Sequence, residues 1–188
     1  VWLKIGGTAT INGTITARPN SELANGSGGS IFIEAGSLAG SGTLDVSCPW
    51  QSWIQRGGGG GRIAVILSSG TTFGSVKMYA NGGQSQDGVS GSAGTIYLQK
   101  AGQPAGRGRL IINQGGISTL TRTMMPVTAT NLNLLTDLVI TNKGVLGLTA
   151  QTPLNLGTGT NIFTYGPAQS TIAVTCTTNL GLSGSCSF

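Results

Sequence analysis

The strongest constraint on this chain is a repeat of about thirty residues that runs through its first two-thirds. Four strand-like openings line up: Val1-Trp2-Leu3-Lys4, Ile31-Phe32-Ile33-Glu34, Ile63-Ala64-Val65-Ile66 and Ile96-Tyr97-Leu98-Gln99. Their starts lie 30, 32 and 33 residues apart. Eleven or twelve positions after each start comes a second strand led by glycine: Gly13-Thr14-Ile15-Thr16, Gly42-Thr43-Leu44-Asp45, Gly74-Ser75-Val76-Lys77 and Gly108-Arg109-Leu110-Ile111. Two series in step point to a solenoid that places one rung on the next, because a period this long exceeds a hairpin and the segments lack helical patterning.

The spacers between the strands support this reading. Asn25-Gly26-Ser27-Gly28-Gly29, the run Gly57 to Gly61, Asn81-Gly82-Gly83 and Ser90-Gly91-Ser92-Ala93-Gly94 are turn chemistry, suited to the corners of a coil. Alternation along each strand predicts that Val1 and Leu3, Ile31 and Ile33, Ile63 and Val65, and Ile96 and Leu98 point into a narrow core. Trp2, Phe32, Ala64 and Tyr97 then form an outward column. Three aromatic rings in that column are either a stacking surface for sugars or side chains packed beneath a covering loop or neighbouring chain.

Composition agrees with an all-β chain. With 33 Gly among 188 residues and β-branched residues between them, helices are disfavoured, while 38% hydrophobic content is too high for a disordered segment. The expected fold is a right-handed parallel β-helix with rungs of about 30 residues and a C-terminal β cap. Gly-rich rungs are expected over 1–123. Shorter, Leu-rich rungs are expected over 124–161, with strands at Leu132-Asn133-Leu134, Leu138-Val139-Ile140, Val145 to Leu148 and Leu154-Asn155-Leu156, and Asn-Lys-Gly and Thr-Pro turns. Residues 162–188 would cap the open core, which otherwise invites stacking by another chain. Cys176 and Cys186, ten apart in that cap, are expected to form a disulfide, which fits an oxidising, extracellular location. Cys48 is expected to be an inert buried thiol, with no His in the chain to lower its pKa.

The stretches Gly28 to Thr43, Gly57 to Val65 and Gly94-Thr95-Ile96-Tyr97-Leu98 resemble the Gly-rich repeats of very large bacterial secreted surface proteins. The resemblance covers about residues 1–116 and implies a β-helical, adhesin-like architecture without specifying an activity. At Cys48-Pro49-Trp50-Gln51-Ser52-Trp53 the chain departs from those repeats, and this segment reads as an insertion.

Some β-helical proteins are polysaccharide lyases or hydrolases, which need clustered carboxylates and a positioned base. Here the acids are only Glu22, Glu34, Asp45, Asp87 and Asp137, dispersed over separate strands and repeats, and there is no His. No catalytic residue, metal site or cofactor is therefore expected. The five-glycine run before Arg62 lacks the Lys-Ser/Thr of a phosphate loop and reads as a corner. The net charge of +5 comes from scattered Lys and Arg, so neither a nucleic-acid patch nor a membrane span is expected. Val1 opens inside a strand pattern without an initiator Met, which implies a longer or processed parent. The expected role is that of an extracellular, secreted or cell-surface structural protein: a filament or rod subunit whose partners are copies of itself or the rest of its parent. The alternative is an adhesin or carbohydrate-binding module that contacts glycans through Trp2, Phe32 and Tyr97, helped by Trp50 and Trp53. A lyase or hydrolase is the third reading.

Overall fold

The computed structural model describes residues 1–19, 26–48, 57–85, 89–124, 135–149, 162–163 and 171–175. These contain strands and no helix, arranged as a β-solenoid of about four turns. In chain order the first coil comprises β1 (Trp2–Thr10), β2 (Thr14–Thr16), β3 (Ser30–Ala39), β4 (Thr43–Asp45), β5 (Arg62–Leu67), β6 (Lys77–Tyr79) and β7 (Thr95–Gln99). One sheet stacks β1, β3, β5 and β7 in parallel, and a second stacks β2, β4 and β6.

The register of the larger sheet is the one the repeat predicts: Ile31 lies beside Ile63 and Ile63 beside Ile96, and Trp2 lies beside Phe32. Alternate residues Ile31, Ile33, Ile63, Val65 and Ile96 are buried and meet Leu44 of the second sheet in one apolar cluster. Leu3 and Leu98 pack against that cluster half-buried, whereas Val1, at the open end of the strand, is 54% exposed. In the second series the third member departs from expectation. Leu44 pairs with Met78, two residues beyond Val76, so β6 is Lys77–Tyr79 and Gly74 lies in the turn before it, with φ of 61°. A left-handed residue inside a strand would break the ladder, which is why the strand starts later.

The rungs close where backbone meets backbone. Gly61 donates its N–H to Val46 O at 2.9 Å and Gly94 donates to Ala80 O at 2.7 Å, so the corner is tied across the coil. Gly29, Gly61 and Gly94 recur at this corner, and Gly29 makes the matching bond to Ala17 O at 2.7 Å. A Cβ on Gly61 would overlap Gly29 O, and one on Gly94 would overlap Gly61 O. The glycine column is thus a steric requirement of the stacking.

After β7 the chain reverses. The turn of residues 100–108 contains Gly102 and Gly106 with φ of 80° and 79°. It delivers β8 (Arg109–Asn113) antiparallel to β7, with Tyr97 beside Leu110 and Ile96 beside Ile111. This corrects the sequence reading of Gly108-Arg109-Leu110-Ile111 as the fourth strand of the second series, because β8 joins the larger sheet instead. Beyond it β9 (Thr123–Met124), β10 (Asp137–Thr141), β11 (Val145–Thr149), β12 (Ile162–Phe163) and β13 (Thr171–Thr175) form parallel stacks, β8-β10-β12 and β9-β11-β13. Rungs tighten here: Arg109 lies beside Asp137 and Val139 beside Ile162. Asn142 and Lys143 take positive φ at the expected Asn-Lys-Gly turn.

The reversal moves the core to the other face of the sheet. Leu110, buried in a second cluster with Ile112, Leu138, Ile140 and Leu146, shares its face with Tyr97, which points away from the first core. Ile111, beside Ile96, packs against the first cluster. Strand order still advances along the sheet while strand direction inverts. A coil keeps its hand under that inversion only if its interior changes sides, and the burial pattern meets this condition.

Gly61→Ala should therefore lower the stability to urea by about 2–3 kcal/mol, because the added Cβ meets a backbone carbonyl rather than a movable side chain. Gly13→Ala, where nothing lies within 4 Å, is the matched control and should leave the midpoint almost unchanged.

Candidate functional site

The outward column lies as the alternation predicts, with Trp2, Phe32, Ala64 and Tyr97 in direct register across β1, β3, β5 and β7. Its rings do not form one continuous surface. Trp2, 70% exposed, and Phe32 have ring centroids 6.3 Å apart and planes tilted by 49°, so together they make an angled patch and not a flat platform. Ala64 then separates Phe32 from Tyr97, which lies two strand spacings away, about 10 Å. Trp50 and Trp53 lie outside the described residues, as do Cys176 and Cys186 with their expected disulfide. Within the expected cap only Ile162–Phe163 and Thr171–Thr175 are described.

Tyr97 sits in a cleft of about 1150 Å³ that the column alone did not predict. One wall is the outer face of the first coil, carrying Arg62, Ile66, Tyr97 and Gln99. Leu110, beside Tyr97, continues that face into the second coil, which adds Met124 and Leu135; the reversing turn contributes Ala105 and Gly106, and the glycine corner lines the rest with Gly60, Gly61 and Gly94. The face switch explains the concavity: past β7 the second coil builds outward from the face that the first coil leaves bare. No motif in the sequence marks Arg62 or Gln99 as site residues, and the apolar run Leu110-Ile111-Ile112 offers no alternation that would indicate the corner.

Tyr97 is held in place. Its hydroxyl donates to Gln99 Oε1 at 2.7 Å and accepts from the Gly108 N–H at 2.9 Å, while Gly106 N–H donates to the same Gln99 oxygen at 3.1 Å. Gly108 lies so close to the ring that a Cβ there would come within 2.7 Å of Tyr97 Cζ. Burial pushes the Tyr97 phenol above its ordinary pKa, and the Gly108 hydrogen bond offsets part of that rise. Arg62, by contrast, is exposed and sits at the rim with no ion pair and no Asp or Glu among the described lining residues.

The described acids each meet a cation from the adjoining turn or segment: Glu34 with Lys4 at 3.8 Å, Asp45 with Arg18 at 3.4 Å and Asp137 with Arg109 at 3.0 Å. They stand on three different strands, β3, β4 and β10. Glu22 and Asp87 lie outside the described residues. No group of three or more His, Cys, Asp and Glu among the described residues is placed to hold a metal ion. The half-buried Cys48 thiol donates to Gly26 O at 3.5 Å, and burial raises its pKa. A raised pKa keeps it protonated and slow to react.

The raised Tyr97 pKa has a definite sign. In the unfolded chain the phenol ionises near the usual value of about 10. Its contribution to stability is therefore complete below that pH and drains away as pH rises toward the folded value. Difference absorbance titration of the protein against Tyr97→Phe should show one phenolate appearing above the ordinary tyrosine range, and stability falling over the same interval.

No family model matches the chain, and no curated protein or solved structure is significantly similar to it, so the functional reading rests on the chain's own geometry.

Proposed function

We propose that this chain is a structural segment of an extracellular surface rod or filament, extended by pairing at the free edge of β1. The observation that carries the reading is that edge. β1 is a nine-residue terminal strand of the larger sheet, with β3 as its neighbour. At its foot the core is only half covered, because Leu3, Ile5 and Ile15 are partly buried where Ile33, Ala35 and Leu44 of the next turn are fully buried. A strand edge beside uncovered apolar surface is a template for another strand. The occupant is a rung of the same kind from a second copy of the chain.

In a parallel ladder each residue turns both its N–H and its C=O to one neighbour, and successive residues alternate sides. Val1 O accepts from Phe32 N at 2.9 Å, so Trp2 and Lys4 direct their backbone groups to the open side. The Gly6-Gly7 bulge interrupts the register between Ile5 and Thr8, leaving Trp2 to Ile5 as the regular part of the template.

Lys4→Pro removes one outward N–H and tests the edge directly. It costs the fold little, since proline is tolerated on an edge strand and the exposed Lys4–Glu34 pair contributes little. The unaltered protein should form fibres of uniform width in micrographs and grow in mass with concentration by light scattering. Lys4→Pro should remain monomeric with its β-sheet circular dichroism intact. A monomeric unaltered chain at high concentration, without fibres, would refute the reading.

A further inference from the structure

We propose that the cleft between the two coils binds an acidic polysaccharide, with Arg62 taking a sugar carboxylate and Tyr97 packing against the sugar ring. This goes beyond the rod reading and does not depend on it.

Three observations converge on the ligand class. The first is charge: Arg62 is the one Lys or Arg among the described lining residues, it is exposed, and it has neither an ion pair nor an acid beside it in that lining. A planar guanidinium with its donors free matches a carboxylate in two-point geometry. The second is preorganisation. Tyr97 is fixed through Gln99 and the Gly108 N–H, so it presents its ring without the entropic cost of ordering a loose side chain. An apolar ring clamped beside a free cation suits a ligand that carries C–H faces and carboxylates together.

The third observation is shape. Tyr97 stands in register with Ala64, Phe32 and Trp2, so the outward column continues from the cleft along the same face. Adjacent strands step by about 4.8 Å, similar to the rise per sugar in an extended glycan, so a linear chain can follow the column rung by rung. An acyl chain would want an enclosed apolar pocket, and a peptide added as a strand would want a sheet edge. This site is a cleft over interior strands of the sheet, lined by Arg62, Tyr97 and the glycine corner.

Isothermal titration with polygalacturonate tests the assignment, using fully methyl-esterified polygalacturonate as the neutral counterpart with the same backbone. The acidic polymer should bind and weaken as salt is raised, and the esterified polymer should bind at least about tenfold more weakly. Arg62→Gln should lose about tenfold in affinity with an unchanged melting temperature, since the side chain is exposed. Tyr97→Leu should also lose affinity. Because Tyr97 orders its surroundings, Phe32→Ala is the companion variant, expected to weaken long polymers and leave trigalacturonate unaffected. Equal binding of the esterified polymer, indifference to Arg62→Gln, or binding of oleate or an acidic peptide in place of the polysaccharide would each overturn the proposal. Absence of binding by any of these probes would do the same. Filament formation by the unaltered chain is read out separately, so either proposal can fail while the other stands.

Discussion

Contact between backbones at the glycine corners is the constraint on which the rest of the first coil depends. Parallel strands pair only if successive turns follow one another at the strand spacing, and the segments joining them must then pass within hydrogen-bond distance of one another. The Gly61 N–H to Val46 O and Gly94 N–H to Ala80 O bonds show how close that passage is. There is no space between those carbonyls for a Cβ. Once the corner closes, the ladder register follows, and the register aligns Ile31, Ile63 and Ile96 in the core. Each such side chain contributes about 1.5–3 kcal/mol on burial, whereas an exposed ion pair between turns contributes about 0–1 kcal/mol. Lys4–Glu34 and Arg109–Asp137 therefore follow a register that the core has already set.

The reversal between β7 and β8 is the second organising event. It joins two stacks through one antiparallel pair and transfers the buried face from the Ile96 side to the Leu110 side. The consequence is architectural: the outer face of the first coil, free to solvent near Trp2, becomes one wall of a corner near Tyr97. Here a nine-residue turn and a change of parity are sufficient, and Gln99 and Gly108 fix the ring that the corner exposes.

The two proposed activities use different parts of the coil. Edge pairing belongs to the outward backbone groups of β1, and ligand binding to outward side chains on the sheet face. A rod that extends at one end and binds along its flank would repeat its binding surface at each added module, so modest affinity per site would accumulate along the fibre.

Much of the first coil was legible in the sequence because a solenoid writes its geometry as a period. The spacing of Ile31, Ile63 and Ile96 gave the ladder, alternation put Trp2, Phe32, Ala64 and Tyr97 on one outer face, and the recurring glycines marked the corner. The second strand series was legible only in part. Gly74 resembled a strand leader, but its left-handed φ made it a turn residue. Gly108 began a strand as expected, yet that strand paired with β7. What the sequence determined by itself was thus the local alternation and the repeat. The tertiary structure alone decided which face of β8 is buried, since Leu110-Ile111-Ile112 is apolar on both faces and offers the same pattern to either side. The direction in which the 100–108 turn returns the chain breaks that symmetry, and with it creates the cleft that brings Arg62, Tyr97 and Leu110 together.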